Sequence, residues 1–138
     1  MSIVLDCSAT LAFLLEDEQT PAIGTLFDEI VQNGAVVPIL WHLEVANSLT
    51  LAVRRKRIPP SVRDQLLMHL QKLDIATDMV THIHAWTATI GLADLHGLTI
   101  YDAAYLELAQ RRRLPLATLD KALVAAARQS GVAVLPQP

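Results

Sequence analysis

A chain of 138 residues, 52% hydrophobic and 18% charged, suits one domain with one core and leaves no room for a second. So apolar a composition, with fourteen Asp and Glu against eleven Lys and Arg and a formal net charge of -3, excludes a disordered tail or a low-complexity polymer. A sequence pI near 5.9 also argues against a grip on nucleic acid through bulk positive charge, which goes with pI values above roughly 9.

The lone Cys7 cannot form an intramolecular disulfide, so no oxidising compartment is implied. The start Met1-Ser2-Ile3-Val4-Leu5-Asp6 lacks a basic region, and its apolar run meets an acid too soon for a signal peptide. The longer apolar segments are broken by Glu44, Asp94, Asp102 or Glu107, short of a membrane span. A cytoplasmic domain without a membrane partner is the expectation.

Ile3-Val4-Leu5 reads as a short buried strand ending at Asp6, after which Ser8 is placed to cap a helix through Leu15. That helix fades in Glu16-Asp17-Glu18. Thr20 and Pro21 have the chemistry of an N-cap and first helical residue; Ile23, Leu26, Phe27, Ile30 and Val31 follow at helical spacing, and Gly34 stops the run. Ala35-Val36-Val37-Pro38 is a second strand. A helix from Leu40 to about Arg57 and another from Pro60, carrying Val62, Leu66, Leu67, Leu70 and Leu73, form a hairpin broken at Ile58-Pro59-Pro60. Asp74 to Thr77 is a weak third strand. Helices from about Thr81 to Leu95, ending near Gly97, and from Tyr101 to Arg112 precede a strand Leu116-Ala117-Thr118 that leads to Asp120. Lys121 to Ser130 is an alanine-rich helix stopped by Gly131, and Val132 to Leu135 closes the chain as a strand. Apolar strands alternating with amphipathic helices predict an α/β domain with a parallel sheet over residues 1–138.

Most acids have ordinary places: Glu16, Asp17, Glu18, Asp28, Glu29, Asp64 and Asp74 fall at helix ends or on polar faces. Four do not. Asp6 and Asp120 each follow an apolar strand, at the end where open parallel sheets bind ligands; either one alone is also a good N-cap. Glu44 points close to the direction of Leu40 and Leu51, with Trp41 and Asn47 flanking. Asp102 shares a helix face with Leu106 and Ala109, beside Tyr105. An unpaired carboxylate on an apolar face costs several kcal/mol, and the nearest basic residues on each helix come two or more turns later. Gathered carboxylates repel one another unless a cation joins them, and an all-oxygen donor set favours Mg²⁺ or Mn²⁺ over zinc. Zinc has little support: His82 and His84 lie on different sides of a helix, and His42, His69 and His96 are isolated. Magnesium held by acids suggests phosphate chemistry. The runs Arg54-Arg55-Lys56-Arg57 and Arg111-Arg112-Arg113 then become candidate contacts to an RNA backbone, although each also suits a solvated helix terminus.

The segments Leu5-Asp6-Cys7-Ser8-Ala9, Leu43-Glu44-Val45-Ala46-Asn47-Ser48-Leu49, Ile100-Tyr101-Asp102-Ala103-Ala104-Tyr105 and Ala117-Thr118-Leu119-Asp120 resemble those of PIN-domain nucleases, and above all the VapC-type toxins of bacterial toxin–antitoxin pairs. The resemblance runs through essentially the whole chain in order. It implies a PIN-like fold, a central parallel sheet sandwiched by helices in a single domain, with Asp6, Glu44, Asp102 and Asp120 converging on Mg²⁺ or Mn²⁺. It further implies a metal-dependent endoribonuclease, a homodimer and inhibition by a cognate antitoxin. Ser8 and Thr118 match hydroxyl positions that support the acids, and Asn47 matches a frequent polar position near the glutamate. In the mechanism so implied, Asp6 and Asp102 bind the principal ion, Glu44 holds it directly or through water, and Asp120 completes the site or recruits a second ion. A housekeeping PIN ribonuclease and a non-catalytic partner-binding module stand as the alternatives; the Cys7-Ser8-Ala9 turn, lacking glycine, disfavours a nicotinamide cofactor.

Overall fold

In the computed structural model, which describes residues Ser2–Gln137, the first apolar run is strand β1 (Ile3–Leu5), buried throughout. Ala35–Pro38 forms β2, equally buried, and Ile75–Asp78, Leu116–Ala117 and Val134–Leu135 form β3, β4 and β5. Strands covered on both faces need no polar alternation, which is why β1, β2 and β4 read as continuous apolar runs. All five pair in parallel in the order β3-β2-β1-β4-β5, with Ile3 opposite Ala35, Pro38 opposite Asp78 and Leu5 opposite Ala117.

Between the strands run α1 (Cys7–Leu14), α2 (Pro21–Asn33), α3 (Leu40–Arg54), α4 (Pro60–Gln71), α5 (Thr81–His84), α6 (Ile90–His96), α7 (Ile100–Arg112) and α8 (Lys121–Gln129). From β1 to β3 the chain steps outward in one direction, and from β3 to β5 it returns across the sheet. Right-handed crossovers therefore put α1 to α4 on one face and α5 to α8 on the other. On the first face Phe13 and Phe27 stack with ring centroids 3.8 Å apart, joining α1 to α2. On the second, α7 lies over β1 and β2, and its residues Ala103 to Ala109 are all buried.

The caps explain where the elements begin and end. Thr20 accepts from the Ile23 N–H and Pro21 opens α2, as their chemistry predicts. Gly34 ends that helix with φ +77°, and a Cβ there would stand 3.0 Å from Asp74 Oδ2. Three expectations need correction. Ser8 does not cap α1: the helix starts at Cys7, so the capping position falls on Asp6, whose Oδ1 accepts from the Ala9 N–H at 2.9 Å. The third helix stops at Arg54 rather than Arg57, because Lys56 turns left-handed at φ 60° and the Arg57 N–H reaches back to the Ala52 carbonyl. The helix expected from Thr81 to Leu95 is divided into α5 and α6 by a wider π-type segment, Ala85–Thr89, which apolar periodicity does not distinguish from an ordinary turn.

Candidate active site at the carboxyl edge of the sheet

The strand order reverses between β1 and β4. There the chain leaves one strand for α1 and the other for α8, on opposite faces, which is the place where open parallel sheets bind ligands. Asp6 follows β1 and Asp120 follows β4, one from each of these two strands. Glu44 comes in from the early turns of α3, after β2, and Asp102 from the first turn of α7, where Thr99 caps the helix by accepting from the Asp102 N–H at 3.1 Å.

Asp6 is 4% exposed and held on both oxygens. Its Oδ1 accepts from Ser8 Oγ at 2.7 Å and from the Ala9 N–H, and its Oδ2 accepts a short bond from Thr118 Oγ1. Each hydroxyl is aimed by the loop after β4: Ser8 Oγ accepts from the Leu119 N–H at 2.9 Å, and Thr118 Oγ1 from the Asp120 N–H at 3.1 Å. Ser8 and Thr118 thus tie the ends of β1 and β4 together through Asp6. Behind the carboxylate, Thr10 Oγ1 donates to the Asp6 carbonyl at 2.7 Å and accepts from Trp41 Nε1 at 3.0 Å, which fastens α3 to the same turn.

Burial pushes the Asp6 carboxyl up to about 6 against its three donors, and the charge of Asp102 adds to the rise. Burial likewise raises Glu44, opposed by a hydrogen bond from Tyr105 and reinforced by Asp102. Asp102 is itself raised, by burial first and then by the charge of Asp120. Asp102 is therefore the hub through which the other three carboxylates interact. Among the described residues none of the four forms an ion pair with a Lys, Arg or His.

These donors fit a hard divalent cation in kind: all are carboxylate oxygens, they repel one another, and among the described residues no positive charge pairs with them. They do not form a closed cage, since among the described residues no group of three or more His, Cys, Asp or Glu is arranged to hold a metal ion as it stands. Asp6 is rigidly fixed, whereas Asp120 is exposed and spends Oδ1 as the N-cap of α8, accepting from the Leu123 N–H at 2.8 Å. The capping reading of Asp6 and Asp120 is thus correct for both and does not compete with clustering.

Asn47 is exposed on α3, outside this network. Cys7, beside Asp6, is pushed up to about 11 by burial and is no nucleophile. His96 bonds Ser130 at 3.1 Å, while His42, His69 and His82 are exposed. Arg111 leaves the set of RNA candidates. Arg111 makes two bonds to Asp78, at 2.9 and 3.1 Å, and two to Glu107, at 2.7 and 3.0 Å; both carboxylates are buried, so the guanidinium is structural. Arg57 is engaged with Asp17 and Glu18, acids that the sequence suggests are merely solvated. Arg54, Arg55, Arg112 and Arg113 are exposed.

Sequence reasoning also passes over Tyr105, whose hydroxyl donates to Glu44 Oε1 at 2.5 Å. The signal was present: a tyrosine one turn after Asp102 on an apolar helix face must find a partner for its O–H.

The family model for the PIN domain matches residues 3–129. The chain belongs to the PIN domain family. Ribonuclease VapC3 of Pyrobaculum aerophilum is 28% identical over 123 residues, which span 89% of this chain and 92% of that protein. Among solved structures, PAE2754 from Pyrobaculum aerophilum superposes with a TM-score of 0.70 at 21% identity, over 98% of this chain and 90% of that one. FitAcB from Neisseria gonorrhoeae gives 0.64 at 18% identity, over 96% and 95%. FitAB bound to an IR36 DNA fragment gives 0.54 at 16% identity, over 96% and 93%. These three solved structures share the fold of this chain.

Proposed function

We propose that this PIN-domain protein is a Mg²⁺- or Mn²⁺-dependent endoribonuclease acting as the toxin of a toxin–antitoxin pair. The observation that carries the reading is electrostatic: Asp6, Glu44 and Asp102 all resist ionisation at the switch point of a parallel sheet, and among the described residues no cation pairs with them. The name of the ribonuclease relative supports RNA as substrate, and the FitAB neighbours support an antitoxin partner.

In this reading Asp6 and Asp102 hold the cation, Glu44 holds it directly or through water, and Asp120 completes the site or recruits a second ion. When bound, Mg²⁺ or Mn²⁺ lowers the pKa of the attacking water and offsets charge on the leaving oxygen. The chain's own work is to hold the ligands. Ser8 and Thr118 aim Asp6, and the Asp120 backbone N–H fixes Thr118 in turn. Arg54, Arg55, Arg112 and Arg113 are exposed cations for the phosphate backbone. For the antitoxin, the groove lined by Leu14, Leu15, Ile58, Pro59, Val62 and Leu66, together with Glu16, Asp17 and Arg57, suits an apolar segment.

The test is cleavage of total RNA by purified protein with Mn²⁺ and with EDTA. Cleavage should require the metal and fall at least about 100-fold in Asp102→Ala, since ligand loss removes the charge stabilisation that carries such reactions. Substitution of one carboxylate in a repelling cluster should leave the domain folded by circular dichroism. Undiminished cleavage by folded Asp102→Ala would sink the assignment. Expression without an antitoxin should arrest growth, and normal growth with active nuclease would favour a role in RNA maturation.

A further inference from the structure

Glu44 is the candidate ligand least fixed by its own backbone, because it projects from within a helix whose cap lies several residues away. What holds it is remote in sequence. Tyr105 is 1% exposed, and its hydroxyl, on the far side of the sheet's carboxyl edge, donates to Glu44 Oε1 at 2.5 Å across 61 positions of chain. The same helix, α7, presents Asp102 one turn earlier. One rigid element therefore carries one acid and grips another.

A carboxylate has two oxygens, and a tyrosine that spends its only proton on Oε1 leaves Oε2 as the oxygen without that bond. The bond is part-buried, and a charge-assisted bond of this kind is shorter and stronger than a neutral one. It also costs little entropy, because the Tyr105 ring is already buried in the core.

We infer that Tyr105 is a positioning residue that fixes the rotamer of Glu44 and commits its Oε1, so that Glu44 meets a divalent cation through Oε2. The inference rests on the metal-nuclease reading for the cation but on the structure alone for the bond. Groups that orient a metal ligand are typically worth 10- to 100-fold in affinity. Tyr105→Phe, which removes one oxygen and keeps the ring, should weaken Mn²⁺ binding about tenfold by that rule.

The experiment is Mn²⁺ titration, followed by calorimetry, of the full chain as wild type, Tyr105→Phe, Glu44→Gln and the double variant. If Tyr105 acts through Glu44, the Tyr105→Phe loss disappears in the Glu44→Gln background. An equal loss in both backgrounds would mean a general packing role and would overturn the inference, as would wild-type affinity in Tyr105→Phe. A wild-type chain that bound no Mn²⁺ would overturn the metal reading, and with it the cation-facing half of the inference. A second measurement leaves Tyr105 in place. The chain has two tyrosines, so 3-fluorotyrosine labelling gives two ¹⁹F resonances, assigned with Tyr101→Phe. The Tyr105 resonance should move in Glu44→Gln without metal present, and an unmoved resonance would overturn the bond itself.

Discussion

Asp6 is buried, and its carboxyl is pushed up to about 6 from an ordinary 3.8. Below pH 3.8 it is protonated whether the chain is folded or unfolded, and it costs nothing. As pH rises from there, the unfolded chain releases the proton first, so stability drains away until pH passes about 6. Above that the full cost, on the order of 3 kcal/mol, stands. Asp6→Asn removes it: the amide oxygen can still accept from Ser8 and Ala9, and the amide nitrogen can donate to Thr118 Oγ1. In chelator, Asp6→Asn should therefore be more stable than wild type at pH 7.5 by roughly 2–3 kcal/mol and show no gain near pH 4. Mn²⁺ should then stabilise the wild type and not the variant. Thermal melts at the two pH values test this, and a gain of equal size at both would mean that the burial of charge at Asp6 is not what destabilises the chain.

At the scale of elements, the strands and most helix limits could be read from the sequence because local physics sets them: buried parallel strands are apolar without alternation, and Thr20-Pro21 and Gly34 carry the chemistry of their caps. Asp6, Glu44 and Asp102 stand out because each lies where a lone carboxylate is costly, whereas exposed Asp120 is marked only by its place after β4. What escaped was pairing across the fold. Asp78, Glu107 and Arg111 are individually unremarkable in sequence, yet β3 and α7 bring them into one network with the carboxylates 4% exposed and the guanidinium 21% exposed. The Tyr105–Glu44 bond escaped for the same reason, since no local spacing records a contact over 61 residues. The network makes its own prediction. Arg111→Ala strands two buried carboxylates and should cost about 3–5 kcal/mol, whereas exposed Arg112→Ala should stay within about 0.5 kcal/mol. Arg111 holds Asp78 below the ordinary carboxylate range. Its contribution is therefore present at neutral pH and is lost as pH falls through the lowered value. Urea unfolding of both variants at pH 7 and in acid separates the two, and similar midpoints for Arg111→Ala and wild type would remove the network from the list of stabilising features.

At the scale of the whole molecule, the acidic balance that seemed to disfavour nucleic acid is an effect of placement. Setting aside Asp6, Glu44, Asp102 and Asp120 leaves ten acids against eleven bases, so the rest of the chain is nearly neutral. Charge is also absent from one exposed apolar stretch. From Met79 to Ala93 there is no Asp, Glu, Lys or Arg, and along this stretch Ile83, Trp86 and Ile90 follow one another at spacings of three and four residues, all exposed, Trp86 by 87%. Exposed apolar surface of this kind marks contact sites. A surface without charge can meet its own copy about a two-fold axis with no like-charge repulsion, which an acidic antitoxin segment would have no electrostatic reason to prefer. Trp86, with 150–250 Å² of side-chain surface typical of a large aromatic, is the natural anchor of such a contact. The wild type should sediment as a dimer at micromolar concentration, and Trp86→Glu, which brings two carboxylates face to face in an apolar interface, should sediment as a folded monomer. Because Trp86 lies outside the acidic cluster, Mn²⁺ binding per chain should survive the change. A wild type that is monomeric alone and associates only with an antitoxin would assign this face to that partner instead.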